Sequence, residues 1–251
     1  MVELTVCIPT FNGLPFVRDA LDSLLTQTYK DFEILISDDG SVDGTLALLE
    51  EFVERAPGPS KLFKNKDLGI ARNCNFLANE STGLYIKYLF QDDILEPSCI
   101  EVLLNEAKRS RESTLIFSNR KVLFESLDSP YCQDIFNGCQ NLSEHWDRLS
   151  SIQDGILYLE DPNLLDPPIN KIGEPSNTLI YRKAFQDVGG FDPNFSQLVD
   201  LDLWFRLMAV GKVSYVNKTL SSFRIHDSQE SVANLIKGNL SDDFELLCKK
   251  L

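Results

Sequence analysis

Basic side chains are scarce in this chain: Lys and Arg number 24 against 38 Asp and Glu, a formal net charge of −14. So acidic a protein lacks the electrostatic footprint that a nucleic-acid backbone demands, and it has no broad basic face for anionic lipid. No nucleic-acid partner is expected. Should it handle a phosphate-bearing ligand, a metal cation or a few well-placed Arg and Lys must supply the positive charge. Histidine is scarcer still, at two residues, and the six cysteines form no Cys-x-x-Cys pair, which argues against structural zinc. No apolar run approaches the roughly 20 residues that span a bilayer, so no transmembrane segment is expected. Met1-Val2-Glu3 leads straight into an apolar strand, so no signal peptide is expected. Free thiols in a reducing, cytoplasmic compartment follow as the expectation. Internal repeats and low-complexity linkers are missing too, which favours one domain.

What is present is ordinary globular composition, 43% hydrophobic and 25% charged, able to bury a substantial core. Leu4–Ile8 reads as a buried strand stopped by Pro9. Val17, Ala20, Leu21, Leu24 and Leu25 then recur at the helical period. Phe32–Ile36 is a second strand, and Leu46, Leu49, Phe52 and Val53 mark a second helix closing at Pro57-Gly58-Pro59. A short strand at Leu62-Phe63, a helix over 69–80 and a strand from Leu84 to Phe90 continue the alternation. Strands alternating with helices of about 12 residues indicate βαβ units and a parallel sheet. Beyond Pro97 the pattern predicts a helix to about Arg109, then a strand at Leu115–Phe117. From Glu125 to Asn170 it loosens, with short helical pieces around Trp146 and Leu157. Strands return at Asn177–Tyr181 and Val213–Val216, around a turn at Gly189–Pro193 and a helix over Leu201–Val210. The last 20 residues form an amphipathic helical tail.

Three strand ends carry polar clusters: Pro9-Thr10-Phe11-Asn12, Asp38-Asp39 and Asp92-Asp93. In an open α/β sheet such ends converge on the ligand crevice. Asp38-Asp39-Gly40-Ser41 suits a turn, and equally a carboxylate that accepts a base N–H or a ribose hydroxyl. Asp43-Gly44-Thr45 invites an aspartyl-phosphate reading, but Ser41 occupies the nucleophile's place and no base activates it. Gly69 lets a backbone approach closely and Arg72 could reach a phosphate; a solvated helix start explains the same residues. Adjacent carboxylates such as Asp92 and Asp93 repel unless a cation or proton intervenes, and hard-metal coordination is one resolution. Helix capping near Pro97 is the other reading. Asp200 and Asp202 open a helix, where the macrodipole alone would favour them, though a general base is chemically suited there. His226 follows an apolar strand, as either a structural residue or a ligand.

Taken in order, several segments resemble the family 2 glycosyltransferases, inverting enzymes with the A-type nucleotide-sugar fold. They are Val6–Asn12, Gln27–Ile34, Asp38–Thr45, Leu68–Asn73, Asp92-Asp93, Gly189–Asp192, Asp200–Leu203 and Arg224–His226. The resemblance implies a single α/β domain with a mostly parallel central sheet flanked by helices. About residues 1–95 would form the nucleotide-sugar half, about 96–230 the acceptor half, and 231–251 the tail. Pro9, Thr10, Asn12, Asp38, Asp39, Asp67, Arg72, Asp92 and Asp93 would contact the nucleotide diphosphate sugar, of UDP or another type. Asp92 and His226 would ligate Mn²⁺ or Mg²⁺. Asp200 would be the general base, with Asp202 as second choice. The acceptor would be a glycan, a lipid-linked sugar or a small molecule, the lipid-linked case placing the protein peripherally at the membrane. Two positions depart from the pattern: Phe90 stands where a first metal-binding Asp is usual, and Val199 where a Glu is. A non-catalytic nucleotide-sugar or carbohydrate binding module is the competing reading. A sugar-nucleotide pyrophosphorylase would need a Gly-rich basic loop that Thr10-Phe11-Asn12-Gly13 does not supply.

Overall fold

A computed structural model describes residues 2–56, 58–125 and 130–250. The first half alternates as expected: β1 (Leu4–Thr10), α1 (Val17–Leu25), β2 (Glu33–Asp38), α2 (Thr45–Arg55), β3 (Ser60–Lys64), α3 (Ile70–Glu80) and β4 (Tyr85–Tyr88). β1 pairs in parallel with β2 and β4, and β2 with β3, giving the order 3-2-1-4. β1 is buried along its whole length because helices cover both of its faces. Val17, Ala20, Leu21 and Leu24 of α1 lie in the core, the stripe that the periodicity predicts. Pro57 of the expected α2 stop lies outside the described residues, and α2 ends at Arg55.

Beyond β4 the sheet is mixed. The elements are β5 (Ile94–Leu95), α4 (Cys99–Arg109), β6 (Ser113–Phe124), α5 (Pro130–Gly138), β7 (Ile152–Asp154), α6 (Ile156–Leu159), β8 (Thr178–Tyr181) and α7 (Arg182–Asp187). They are followed by α8 (Val199–Val210), β9 (Lys212–Ile225), α9 (Glu230–Lys237) and α10 (Asn239–Lys250). β8 inserts antiparallel between β4 and β6, so the parallel arrangement of the first half stops there. β6 and β9 run far past the expected Leu115–Phe117 and Val213–Val216, pairing in parallel to Phe124 and Ile225 through shifts of register near Asn119. Those outer halves carry Asn119, Arg120, Lys121, Asn217 and Lys218, which hide the strands from an apolar search. The 125–170 stretch holds α5, a 3₁₀ turn at Leu142–His145 beside Trp146, and α6 at Leu157. Among the described residues no helix is long and apolar enough to cross a membrane.

The second half is fixed against α8 at a tight place. A Cβ added to Gly155 would lie 2.1 Å from the carbonyl oxygen of Met208 and 2.6 Å from that of Gly211. Both obstacles are backbone, so neither can swing aside. Gly155→Ala is therefore expected to lower stability by at least about 1–3 kcal/mol, read as a drop in the urea midpoint with an unchanged slope.

Candidate active site

The C-terminal ends of β1, β2 and β4 open onto one cleft of about 1240 Å³, continued by residues from α5, α8 and α9. This is the crevice position that an α/β sheet reserves for ligands. Pro9, Thr10, Asn12, Asp39, Asp67, Asp92, Asp93, Asp200 and His226 all line it. Folding thus brings together residues up to 217 positions apart in the chain.

One end is built from the loop after β1. Asn12 adopts a left-handed backbone (φ 47°), accepts a hydrogen bond from Val42 N (2.9 Å) and donates its own N–H to Ser41 Oγ (2.8 Å). Gln91 holds the same loop from the other side: it accepts from Phe11 N (2.9 Å) and donates to Phe11 O (3.0 Å). A Cβ on Gly13 would come within 2.7 Å of Gln91 Oε1, so the clamping amide would have to shift. Asp43 accepts from Leu14 N (3.0 Å) and Thr45 N (3.0 Å). Desolvation would raise its carboxyl, but bonds from Thr45 and Leu14 outweigh this and hold it below the ordinary value. Asp43-Gly44-Thr45 is therefore a loop anchor, as the missing nucleophile implied. Asp39 accepts from Leu68 N and Gly69 N, both at 2.8 Å, and so ties the start of α3 to the end of β2.

Asp92 and Asp93 part company. Asp93 is 2% exposed and accepts from Arg224 N (3.3 Å). Desolvation, with the charges of Asp92 and Glu174 added, lifts its carboxyl well above the ordinary range. Burial thus disfavours charge on the inner carboxyl, and the buried Lys87 ammonium lies close enough to interact with it. Asp92 faces outward: its Oδ2 lies 3.2 Å from His226 Nε2, while His226 Nδ1 lies 2.9 Å from Ser228 Oγ. The ring of His226 packs on Phe16 with centroids 4.4 Å apart. Arg224 fixes this corner, donating from Nε to Asp92 O (3.0 Å), pairing with Glu125 and Asp19, and stacking over Phe16.

The carboxylate of Asp92 and the imidazole of His226 are unlike donors close enough to share one divalent cation. No cluster of three or more His, Cys, Asp or Glu suited to a metal exists among the described residues. The pair fits an ion that completes its shell with substrate oxygens and water, as Mg²⁺ and Mn²⁺ do at phosphate sites. The bond to Ser228 sets the orientation of the ring.

Asp200 lines the same cleft, half-buried at the start of α8. It accepts from Leu201 N (2.8 Å) and Asn170 Nδ2 (3.0 Å). Desolvation, then the charge of Glu174, pushes its pKa up to about 7. Asn170 in turn accepts from Ile172 N (3.2 Å) and Gly173 N (3.0 Å), and Trp204 Nε1 donates to Gly173 O (3.0 Å), so the loop and α8 are locked together. A carboxylate from the far end of the chain completes the support. Asp243 of α10 is 4% exposed and accepts from Ser196 N (2.9 Å), Gln197 N (2.5 Å) and Leu198 N (2.8 Å), the residues leading into α8.

Three expected site residues stand elsewhere. Asp202 is directed away from the cleft, paired with Arg206 (2.5 Å) and Lys250 (2.8 Å), because positions two apart on a helix lie on opposed faces. Its two ion pairs lie outside the cleft lining. Asp38 lies behind the wall, its oxygens taken by Ser41 Oγ (2.5 Å), Ser41 N (3.0 Å) and Thr10 Oγ1 (3.3 Å). Arg72 is exposed on α3, off the cleft lining. Gln91, Asn170, Asn73 and the Arg120–Glu174 pair line the cleft without having been foreseen. Neutral amides have no charge pattern to betray them, and Arg120 lies in the part of β6 whose polarity concealed the strand.

Comparison with known proteins agrees with this geometry. Residues 5–189 match the family described as glycosyl transferase family 2. An uncharacterized glycosyltransferase of Rickettsia prowazekii is 28% identical over 228 residues, covering 90% of this chain and 65% of its own. The chain thus spans somewhat under two thirds of that relative. Among solved structures, S. aureus TarS (residues 1–349) in complex with UDP-GlcNAc superposes with a TM-score of 0.69 at 15% identity, over 91% of this chain and 60% of its own. The mannosyltransferase PcManGT of Pyrobaculum calidifontis, in complex with GDP-Man and Mn²⁺, gives 0.69 at 16% identity, over 98% and 64%. At that identity the likeness speaks for the fold, which is the A-type glycosyltransferase architecture. The family match covers most of the chain, and its strand-end residues meet in one cleft: the chain belongs to glycosyl transferase family 2.

Proposed function

We propose that the chain moves a sugar from a nucleoside diphosphate sugar to an acceptor hydroxyl in one inverting displacement. Asp200 takes the hydroxyl proton as the acceptor oxygen bonds to the anomeric carbon and the bond to the diphosphate breaks. The observation that carries this reading is a carboxyl with a pKa of about 7 on the cleft wall that also holds the Asp92–His226 pair. A base is most effective when its pKa lies near the working pH. Pro9, Thr10, Asn12, Asp39 and Asp67 would receive the nucleotide at the opposite end, where the loop after β1 is rigidly held. Mn²⁺ or Mg²⁺ held by Asp92 and His226 would offset charge on the departing diphosphate. The solved relatives in complex with UDP-GlcNAc and with GDP-Man and Mn²⁺ support such a donor.

Thermal shift with UDP and GDP, each with and without Mn²⁺, tests donor binding. A nucleotide at 100 times its dissociation constant is expected to stabilise the fold by about 2.7 kcal/mol, and only when the metal is present. Release of nucleoside diphosphate from a UDP- or GDP-sugar then separates an enzyme from a binding module. No shift with any nucleotide, and no release, would sink the reading.

A further inference from the structure

The cleft is larger than a donor alone requires. Its volume of about 1240 Å³ exceeds the roughly 300–1,000 Å³ of an ordinary small-ligand pocket. Its wall beyond α8 is supplied by α5 and α9, which pack on one another. Tyr131, Asp134, Ile135 and Gly138 reach the cleft from α5, at the spacing of one helix face. From α9 come Glu230, Ser231, Asn234 and Leu235.

The charges on that wall are unbalanced. Arg120 is the only Lys or Arg lining the cleft among the described residues. It is 4% exposed and already committed: Nε and Nη2 grip Glu174 at 2.7 and 3.0 Å, and Nη1 donates to Cys139 O at 2.7 Å. Asp134 and Glu230 are exposed and have no ion-pair partner among the described residues. Any cation held by Asp92 and His226 would be engaged with the donor diphosphate. An acceptor bearing its own negative charge would therefore enter a cleft whose described lining offers it no uncommitted Lys or Arg.

We infer that the acceptor is an uncharged glycan, one whose receiving sugar carries no carboxylate, sulfate or phosphate. The inference rests on the transferase reading and narrows its substrate class. Like charges brought together select against the wrong partner, and clefts with low-dielectric walls concentrate the field. Tyr131, Ile135 and Leu235 give the same wall an apolar surface suited to the C–H face of a neutral sugar ring.

The test supplies the full chain with Mn²⁺, a mixture of UDP- and GDP-sugars, and paired acceptors that differ only in charge. Neutral glycosides are set beside their 6-carboxylate, sulfate and phosphate counterparts, with products read by mass spectrometry. The neutral member of each productive pair is expected to lead in kcat/KM by about tenfold or more at low salt. That lead should shrink near 1 M salt, where the Debye length falls to about 3 Å. The double variant Asp134→Lys/Glu230→Lys, at two exposed positions, should bring the ratio toward or past unity. An anionic acceptor used as well as its neutral counterpart overturns the inference. So does donor hydrolysis by water with every neutral glycan refused. Failure to bind or hydrolyse any nucleotide sugar is a distinct result, which removes the transferase reading itself and the inference with it.

Discussion

Asp200→Asn is expected to lower kcat by about 10²–10⁴-fold, the usual contribution of a positioned general base, with nucleoside diphosphate binding nearly unchanged. The carboxyl lines the cleft from the start of α8, whereas the proposed nucleotide contacts come from the ends of β1 and β2 and the approach to α3. The pH dependence gives a second readout. A pKa of about 7 leaves the base protonated in mild acid, so the parent's turnover should climb with pH and level off above about 7. The variant should lose that limb. Stability follows the same carboxyl with the opposite sign. Its folded pKa is raised, so the folded state holds the proton more tightly than the unfolded chain does. Its contribution to stability is present below the ordinary carboxylate pKa and is lost as pH rises toward 7. That slope should be missing in Asp200→Asn. Full turnover in the variant would assign the base elsewhere.

Removing the cation should be at least as damaging to donor binding. With Arg120 committed to Glu174, no free Lys or Arg lines the cleft among the described residues to receive a diphosphate. Chelation is expected to weaken nucleoside diphosphate binding by about 100-fold or more, in line with the several kcal/mol that a bound metal contributes to phosphoryl oxygens. Asp92→Ala/His226→Ala should reproduce the loss and make it insensitive to added Mn²⁺. Titration calorimetry with UDP and GDP, before and after chelation, distinguishes the cases. Undiminished binding in the double variant would show that Asp92 and His226 do not hold the ion.

Much of the first half could be read directly, because β1 to β4 are short apolar runs separated by helices with one buried stripe. The convergence of Thr10, Asp39 and Asp92 follows from that alternation alone. Legibility falls where burial no longer sorts residues by polarity. β8 enters antiparallel with only four residues, and the outer halves of β6 and β9 are polar strands stabilised by pairing with each other. α5 carries a single buried residue, Cys132, and so shows little apolar stripe. Asp92 and Asp200, singled out by their local pattern, do line the cleft. Placement was harder to read where a side chain depends on a partner that only the fold supplies. Asp38 and Asp39 are consecutive, yet one is turned to Ser41 and the other to the cleft. Asp200 and Asp202 differ by two positions, and helix geometry sends only the first toward the cleft. Nothing in the tail marks Asp243 as the partner of three amides some 45 positions earlier.

That last contact bears on how the protein can be recombined. The family match closes at residue 189, yet Asp200 and the Asp243 that steadies its approach both lie downstream. A chimera joined at the edge of the match would take its first strand ends from one protein and Asp200 from another. It would keep α8 seated only if residues 190–250 were exchanged as one cassette, tail included.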